Sequence, residues 1–521
     1  MSLGAMLTDR ARSHPAREAV VCGAHRITFG ELEKSANRIA NALIGLGQAP
    51  GARIALFMSN CMELVEAMAG IAKSGAVMVP VNPRLAPDEV RYQLADANPF
   101  AIVYSPKLRD VVRHAASGLD GVRMIVAGSP DAGETGFNKL ADAGAETPPP
   151  ELAENQDAVL CYTSGTTGRP KGAVITHRNL IHGIGEIGTL AWRLSQDDRT
   201  LVATPMAHRT GIARIASCFC LGSVVVVLPR FDAVEAVRLI EAERVTTIGV
   251  VPTIARMLLP EIEKRPDACR SLRAMLATGE VFPPALKARL FAALPQLGLF
   301  SFYSQTEAGL VSCLPPEEQD SHPDSIGRPS PGVEVRIVDA ALDDVPAGEP
   351  GEILVRCGAP GTGTVMREYY RLPEDTAAAF VDGWLRTGDI ARTDADGHMY
   401  FVGRAREMII SGGLNIYSAE VEAALERHPA VAEVAVVGVP DDSFGEAVLA
   451  YVSLRPGADA DADDLIAHCR SLIAGYKKPK YVRFMDILPR NSVGKIAKAE
   501  LHTKAQAELK QEDEKRRIIS H

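Results

Sequence analysis

The sequence predicts an α/β protein of more than one domain: a large N-terminal domain of helix-covered sheets with a small β-rich subdomain, followed by a small α+β C-terminal domain. The chain has 521 residues, more than one hydrophobic core usually supports, and 46% of them are hydrophobic. Short apolar runs alternate with helical patterns, as in parallel sheets covered by helices. After residue 315 the runs become shorter and Gly/Pro turns separate them, which indicates the β-rich part.

The individual elements follow from apolar periodicity. Strands are expected at residues 54–58, 77–81, 101–104, 124–126, 158–162, 224–228, 248–251, 299–303, 333–338 and 351–355. A helix is expected from Glu31 onward, because apolar residues recur there at helical spacing and Thr28 with Glu31 forms a capping box. Near Arg404 a smaller unit begins, with helices at 419–425 and 463–472, strands at 431–437, 449–454 and 481–485, and a solvated helix over 504–517.

Composition and charge exclude several functions. The net charge of −9 implies no basic face for nucleic acid. The nine cysteines are scattered without zinc-ligand spacing, which favours the reduced thiols of a cytoplasmic protein. The N-terminus has no signal pattern, and the longest apolar run, 224–228, is too short to cross a bilayer. We therefore expect a cytoplasmic enzyme without a transmembrane segment.

One glycine pattern imitates a dinucleotide-binding fingerprint. Residues 183–188 fit G-x-G-x-x-G, but they follow a helix start at 176–182 where the fingerprint needs a strand. The residue about twenty positions further on is His208, where an acid would be needed. We reject a Rossmann site here.

A loop rich in glycine and hydroxyl groups is the most informative segment, and it directly follows the apolar run 158–162. It comprises Thr163, Ser164, Gly165, Thr166, Thr167, Gly168, Arg169, Pro170, Lys171 and Gly172. Glycines let backbone N–H groups approach phosphate oxygens, hydroxyls add donors, and the two cations add positive charge. The spacing is not that of a Walker loop. The composition predicts a phosphate-binding loop, and a flexible surface loop is the alternative.

Five further segments follow this loop, and the set resembles the signature motifs of the adenylate-forming superfamily: acyl-CoA synthetases, firefly luciferase and adenylation domains of nonribosomal peptide synthetases. The segments are Pro205-Met206-Ala207-His208, the run from Tyr303 to Glu307, the run from Gly383 to Asp389, the run from Gly403 to Gly413, and the run from Pro489 to Lys495. With matching flanks they cover nearly the whole chain. The resemblance implies an N-terminal adenylate-forming domain, 1–403, and a mobile C-terminal lid, 404–521, with Arg406 at the hinge.

The resemblance also assigns an ATP site. Activating a carboxylate on ATP requires neutralising the triphosphate and orienting the attack on the α-phosphorus. By resemblance Glu307 binds Mg²⁺ with Thr166 or Thr167, Thr306 binds the α-phosphate, and Asp389 binds the ribose hydroxyls. The remaining nucleotide contacts are expected from Arg404, Gly279, Glu280, Tyr303, Lys171 and the loop residues Thr163 to Gly168.

A second set of residues is implied for the acid and for CoA. Lys495 resembles the lysine that reaches from the lid and bridges the acid carboxylate and the α-phosphate, although an ordinary β-turn lysine would fit the same pattern. His208 would separate the acid pocket from the adenylate. After adenylation the lid would rotate so that a thiol can enter. Gly412 and Gly413 would line the thiol tunnel, and Lys477 would meet the CoA phosphates unless it belongs to a solvated lysine cluster.

Departures from the family pattern bear on the substrate. Ser304 stands where the family usually has glycine, and Glu280 where many acyl-CoA synthetases have alanine and amino-acid-activating relatives have glutamate. The acid pocket is expected near Thr210, Gly279 and Ser304. We expect a fatty or aryl acid, ATP, Mg²⁺ and CoA. Transfer to a carrier protein, amino-acid activation and noncatalytic adenylate binding are the alternatives, and the oligomeric state, including a homodimer, stays open.

Overall fold

The computed structural model describes residues 1–163, 169–412, 414–441, 444–490 and 495–519, with side chains as far as residue 509. The strands are β1 (Glu18–Cys22), β2 (His25–Thr28), β3 (Arg53–Phe57), β4 (Val77–Pro80), β5 (Ala101–Tyr104), β6 (Arg123–Val126), β7 (Glu134–Gly136), β8 (Asp157–Thr163), β9 (Lys171–Thr176), β10 (Arg199–Val202), β11 (Val224–Val227), β12 (Thr247–Val250), β13 (Ala274–Ala277), β14 (Gly298–Gln305), β15 (Gly309–Leu314), β16 (Arg328–Pro329), β17 (Glu334–Val338), β18 (Gly351–Arg356), β19 (Phe380–Val381), β20 (Trp384–Thr393), β21 (Met399–Arg404), β22 (Met408–Ser411), β23 (Leu414–Tyr417), β24 (Val431–Asp441), β25 (Gly445–Leu454) and β26 (Tyr481–Phe484).

The helices lie between these strands in the alternating order expected of an α/β fold. They are α1 (Leu3–Ser13), α2 (Phe29–Gly45), α3 (Met62–Ser74), α4 (Pro87–Ala97), α5 (Arg109–Ala115), α6 (Phe137–Ala143), α7 (His177–Leu180), α8 (Thr189–Trp192), α9 (Arg209–Leu221), α10 (Ala233–Ala242), α11 (Pro252–Lys264), α12 (Pro284–Ala293), α13 (Pro373–Ala379), α14 (Ser418–Glu426), α15 (Ala462–Leu472) and α16 (Lys498–Ile519).

Packing divides the chain into two compact units. The first contains residues 1–336, 354–387 and 395–400, and the second contains 337–353, 388–394 and 401–521. The functional division at residue 404 stays a prediction. Among the described residues, no helix is both long enough and apolar enough to span a membrane.

Two large sheets organise the first unit. The nine-stranded sheet has the order β16-β15-β14-β13-β12-β10-β11-β1-β2, and the seven-stranded sheet has the order β7-β6-β5-β3-β4-β8-β9. Their inner strands pair in parallel, whereas β14–β15 and β8–β9 are antiparallel hairpins. Both hairpins lie toward one edge of their sheet, and both carry predicted site residues.

The two faces of the nine-stranded sheet differ in chemistry. Ile248, Met275 and Leu299 point into a hydrophobic core that includes side chains of α10, α11 and α12. Because side chains alternate along a strand, Gly249 and Thr278 belong to the opposite face. Thr278 and Gly249 therefore do not belong to this hydrophobic core.

The remaining sheets are mostly antiparallel. One five-stranded sheet has the order β17-β18-β20-β19 with β21 on β20, and the other has the order β23-β22-β25-β24 with β26 on β25. In the second of these, α14 and α15 cover one face and α16 covers the other with Leu501 and Ala505. The expected α+β character of the C-terminal part is confirmed.

Apolar periodicity located these elements well. Each expected strand and helix is present, with ends shifted by a few residues. At the start of α2, Thr28 Oγ1 accepts a hydrogen bond from the Glu31 N–H over 3.2 Å and the Thr28 N–H donates to Glu31 Oε2 over 2.8 Å, so the capping box is confirmed. Residues 181–188 form a π-helical stretch after α7, which agrees with rejecting the Rossmann site.

Candidate active site

Glu307 lies in the turn between β14 and β15 and is held from two sides. The Thr163 hydroxyl, at the end of β8, donates to Glu307 Oε1 over 3.1 Å, and the Tyr369 hydroxyl donates to the same oxygen over 3.0 Å. The Glu307 carbonyl accepts a hydrogen bond from the Met366 N–H over 2.7 Å. The carboxylate thus connects the hairpin ends of two different sheets.

Lys171, the second cation of the predicted phosphate loop, lies close to the residues that hold this carboxylate. Lys171 begins β9 directly opposite Thr163, forms an ion pair with Asp375, and places its Nζ 5.3 Å from the centre of the Tyr369 ring. Burial, together with the charge of Glu307, raises the pKa of Tyr369, which therefore remains a hydrogen-bond donor at neutral pH. The predicted phosphate donors Ser164, Gly165, Thr166, Thr167 and Gly168 lie outside the described residues.

Arg209 supports the same turn from the helix that follows His208. Its Nη1 donates to the Thr306 carbonyl, and its Nη2 donates to the Thr364 carbonyl over 2.9 Å. Burial lowers the pKa of this guanidinium. Because its hydrogen bonds go to backbone carbonyls, it fixes the main chain that carries Thr306 and Glu307.

The expected acid pocket is more polar than its motifs indicated. The Thr278 and Ser304 hydroxyls are hydrogen-bonded over 3.2 Å, so the serine in place of the family's glycine has a polar partner. Gly279 follows at a φ of +96°, a conformation that favours glycine, and Glu280 beside it is exposed. Tyr303 is half-buried in β14.

His208 occupies the position before the first residue of α9. Its Nε2 lies 3.4 Å from the Asn82 side-chain nitrogen. The histidine is half-buried, so its ring faces both protein and open space. This placement is compatible with a wall of the pocket, and its gating role stays a prediction.

Within the second unit, two predicted nucleotide-binding residues are in direct contact. Asp389, in β20, is 3% exposed, and its Oδ1 lies 3.2 Å from Nε of Arg404 at the end of β21. The oxygens of such a carboxylate can accept hydrogen bonds from the two hydroxyls of a diol.

A buried charge cluster connects two further segments of the second unit. Lys498, at the start of α16, places its Nζ 2.8 Å from Glu407 Oε2, 2.8 Å from Glu422 Oε1 and 3.1 Å from Ser418 Oγ. Although burial lowers its pKa, the two carboxylates outweigh this effect and raise it. Glu407 follows the predicted hinge residue Arg406, and Lys498 follows Lys495 by one turn. The cluster therefore anchors the segment that carries Lys495 to the hinge segment.

The predicted CoA residues are only partly described. Gly412 has a φ of +58° and its N–H donates to the Phe444 carbonyl over 2.8 Å, whereas Gly413 lies outside the described residues. Lys477 forms an ion pair with Glu420 at 2.7 Å. Lys495, the lysine predicted to act in adenylation, is half-buried. Their roles stay predictions.

Three residues of this arrangement were not identified from the sequence. Tyr369 and Arg209 act through backbone or side-chain contacts that cross between distant segments, so no spacing rule points to them. Lys498 could have been noticed from the sequence. The first turn of a helix favours acidic residues, so a lysine at the first position of α16 is unusual.

Comparisons with known proteins identify the family of this chain. Residues 7–370 match the family of AMP-binding enzymes, and residues 420–495 match the AMP-binding enzyme C-terminal domain. The chain belongs to the AMP-binding enzyme family. The resemblance to adenylate-forming enzymes is thereby confirmed, and this AMP-binding enzyme is an ATP-dependent, AMP-forming ligase.

Similar proteins extend over nearly the whole chain. A feruloyl-CoA synthase of Amycolatopsis is 36% identical over 503 residues, covering 96% of this chain and 98% of the relative. A fatty acid–[acyl-carrier-protein] ligase of Streptomyces coeruleorubidus is 34% identical over 500 residues, covering 94% of each. Crystalline ATP-bound MatB from Rhodopseudomonas palustris superposes with a TM-score of 0.87 at 29% identity, covering 97% of this chain and 99% of that one.

The contact between Tyr369 and Glu307 yields a first prediction. Tyr369→Phe removes one donor to the carboxylate, and a hydrogen bond to a charged group contributes enough that kcat/KM for Mg·ATP should fall about tenfold. The measurement is pyrophosphate release at varied Mg·ATP. Tyr370→Phe, at the neighbouring tyrosine, is the control and should keep the parent value. Equal values for both variants would contradict the role given to Tyr369.

The Lys498 cluster yields a second prediction. Lys498→Met leaves two buried glutamates without their cation, so the free energy of unfolding of the C-terminal unit should fall by about 3–5 kcal/mol. Urea unfolding measures this. Lys504→Met, on the same helix, removes an exposed lysine whose Nζ lies 3.9 Å from Glu508, and it should change stability by less than about 0.5 kcal/mol. A loss in Lys498→Met as small as in this control would refute the anchoring role.

Proposed function

We propose that this enzyme is an acyl-CoA synthetase. An acid carboxylate oxygen attacks the α-phosphorus of ATP, the bond to the β-phosphate oxygen breaks, and pyrophosphate leaves. The thiol of CoA then attacks the acyl carbon, the bond to AMP breaks, and the thiol proton goes to solvent. The observation that carries the proposal is the Glu307 carboxylate, which Thr163 and Tyr369 hold where the predicted phosphate loop begins.

The residues around Glu307 suit Mg²⁺. The ion prefers a few carboxylate oxygens together with phosphate oxygens and water, and here one carboxylate stands beside the Thr163 hydroxyl. Glu307 would hold the ion, with Thr166 as the second expected ligand. Bound with ATP, Mg²⁺ would neutralise part of the phosphate charge. Lys171, next to this site, would bind phosphate oxygens if it exchanges Asp375 for them.

Lys495 is assigned to the first half-reaction. An ammonium group on a flexible stem can contact both the acid carboxylate and the α-phosphate, whose charges must approach each other during the attack. We assign residues 404–521 to a lid that supplies this lysine and later withdraws it. Gly412, Gly413 and Lys477 are assigned to the side that CoA approaches, and Asp389 with Arg404 to the ribose and phosphate.

The acid and the acceptor thiol are separate questions. The similarity to a feruloyl-CoA synthase and to fatty-acid ligases supports the expectation of an aryl or fatty acid. The similarity to a fatty acid–[acyl-carrier-protein] ligase supports a carrier-protein thiol as the second candidate acceptor. If no thioester forms when CoA is replaced by a carrier protein, CoA is favoured as the acceptor thiol.

A panel of acids assayed with and without CoA tests the proposed function. Fatty and aryl acids should release pyrophosphate with ATP, and adding CoA should increase turnover and give the thioester. Amino acids should give no exchange of pyrophosphate. Acid-dependent AMP formation that CoA leaves unchanged, with no thioester, would exclude a CoA ligase.

Lys495→Ala tests the division of labour between the two half-reactions. Removing an electrostatic contact of this kind should slow adenylation about 10²-fold or more. Conversion of preformed acyl adenylate to thioester should be nearly unaffected. Single-turnover measurement separates the steps, with Lys504→Ala as the control. Equal loss in both steps would remove Lys495 from the role given to it.

A further inference from the structure

Among the described residues, a buried cation next to the expected acid pocket has no ion-pair partner. Arg214, on α9, is 4% exposed, and its guanidinium carbon lies 4.9 Å from the centre of the Trp192 ring. Its Nη1 has no hydrogen-bond partner within the described part of the chain. Burial lowers the pKa of Arg214 to about 10, and no charged group opposes that effect.

Buried lysines of the chain have oxygen partners for their ammonium groups, and Lys287 donates to the Pro323 carbonyl over 2.6 Å. Lys73 is 6% exposed and pairs with Glu33 at 2.5 Å, and Lys498 lies between two glutamates. A buried charge without a partner is destabilising, because it has lost its hydration. The stacking on Trp192 offsets only part of that loss, because a cation–π contact is weaker than an ion pair in the same surroundings. Arg214 is therefore placed to bind something that arrives from outside the chain.

The guanidinium faces the ligand side of the nine-stranded sheet. Arg214 is one helical turn after Thr210, so both lie on the same face of α9. A Cβ on Gly249 would lie 3.7 Å from Arg214 Nε. Gly249 is partly exposed, although Ile248 and Val250 on either side of it are 0% and 2% exposed. Space open to solvent therefore lies on Gly249's side of the strand.

The expected wall of the acid pocket lies on this same face. Side-chain alternation puts Gly249, Leu276, Phe302 and Ser304 on one side of the sheet. Phe302 confirms the direction, because its ring centre lies 4.8 Å from that of Trp192, on which Arg214 stacks. The hydroxyl pair of Thr278 and Ser304 and the guanidinium therefore line one surface, reached from the edge where the adenylate would form.

We infer that Arg214 ends the acid pocket and binds a second carboxylate of the substrate, so that the enzyme activates dicarboxylic acids at one end. This inference rests on the proposed acyl-CoA synthetase function and deepens it. A guanidinium presents paired N–H donors that match a carboxylate, and the ligand would supply the missing negative charge. An acid with a purely apolar tail would leave that charge uncompensated, which penalises it relative to a diacid of the same length.

Matched pairs of acids test the inference. Pyrophosphate release is measured with α,ω-dicarboxylic and aromatic dicarboxylic acids, each beside the monocarboxylic acid of equal length. The parent enzyme should prefer the best diacid by about a hundredfold in kcat/KM, the range expected for a buried charge pair. Arg214→Met should abolish that preference by lowering kcat/KM for the diacid to the value for the matched monoacid. Arg214→Lys, which keeps the charge without the paired donors, should retain part of it.

Binding measurements separate this inference from the proposed function. Titration calorimetry should show the preferred diacid binding to the parent enzyme about a hundredfold more tightly than to Arg214→Met, even if neither releases pyrophosphate. The Met variant should unfold at the same or a higher temperature than the parent without ligand, because it no longer buries an unpaired charge.

Absence of pyrophosphate release with every acid contradicts the synthetase function. Three results would overturn the role of Arg214. The parent enzyme could prefer monoacids, or it could prefer ω-hydroxy acids over diacids. Alternatively, the preference for diacids could survive in Arg214→Met.

Discussion

The carboxylate of Glu307 is the point on which the first unit's chemistry depends. It sits at the tip of one hairpin, and both of its hydroxyl donors come from other segments: Thr163 from a strand of the seven-stranded sheet and Tyr369 from the chain after β18. That second segment also pairs with β9, where the Tyr370 N–H donates to the Gly172 carbonyl over 2.7 Å. Two sheets are thereby held in a fixed relation at the place where phosphate and acid must meet.

Such a constraint matters because adenylation is mainly a problem of positioning and charge. The protein forms no covalent bond with ATP in the proposed route, so its contribution is orientation and electrostatic stabilisation. Arg209 serves orientation, since its hydrogen bonds fix backbone carbonyls of the turn before Glu307. Asp389 is paired with Arg404, and Lys498 is paired with its two glutamates. Arg214 Nη1 has no hydrogen-bond partner among the described residues, and the proposed diacid would supply one.

Apolar periodicity predicted the fold, and the order of the motifs supplied the candidate site residues. Strands such as β11 bury an unbroken apolar run, and α2 carries both a periodic apolar face and a capping box, so local patterns suffice to predict them. Glu307 and Asp389 were found because their motifs keep several residues together. Tyr369, Arg209 and Arg214 could not be found in this way. The importance of Tyr369 and Arg209 arises from burial and from partners that lie 62 to 155 residues away in the sequence. Arg214 is notable because one of its nitrogens has no partner among the described residues. No local pattern encodes either property.

The central claim is that an acid oxygen becomes bonded to the α-phosphorus, and isotope transfer measures this directly. An acid that the enzyme activates is labelled with oxygen-18 in its carboxylate and turned over with ATP and CoA. The account predicts that each turnover leaves one labelled oxygen in AMP and none in pyrophosphate, as mass spectrometry of the products would report. Label in orthophosphate with formation of ADP, or unlabelled AMP, would contradict an acyl-adenylate route.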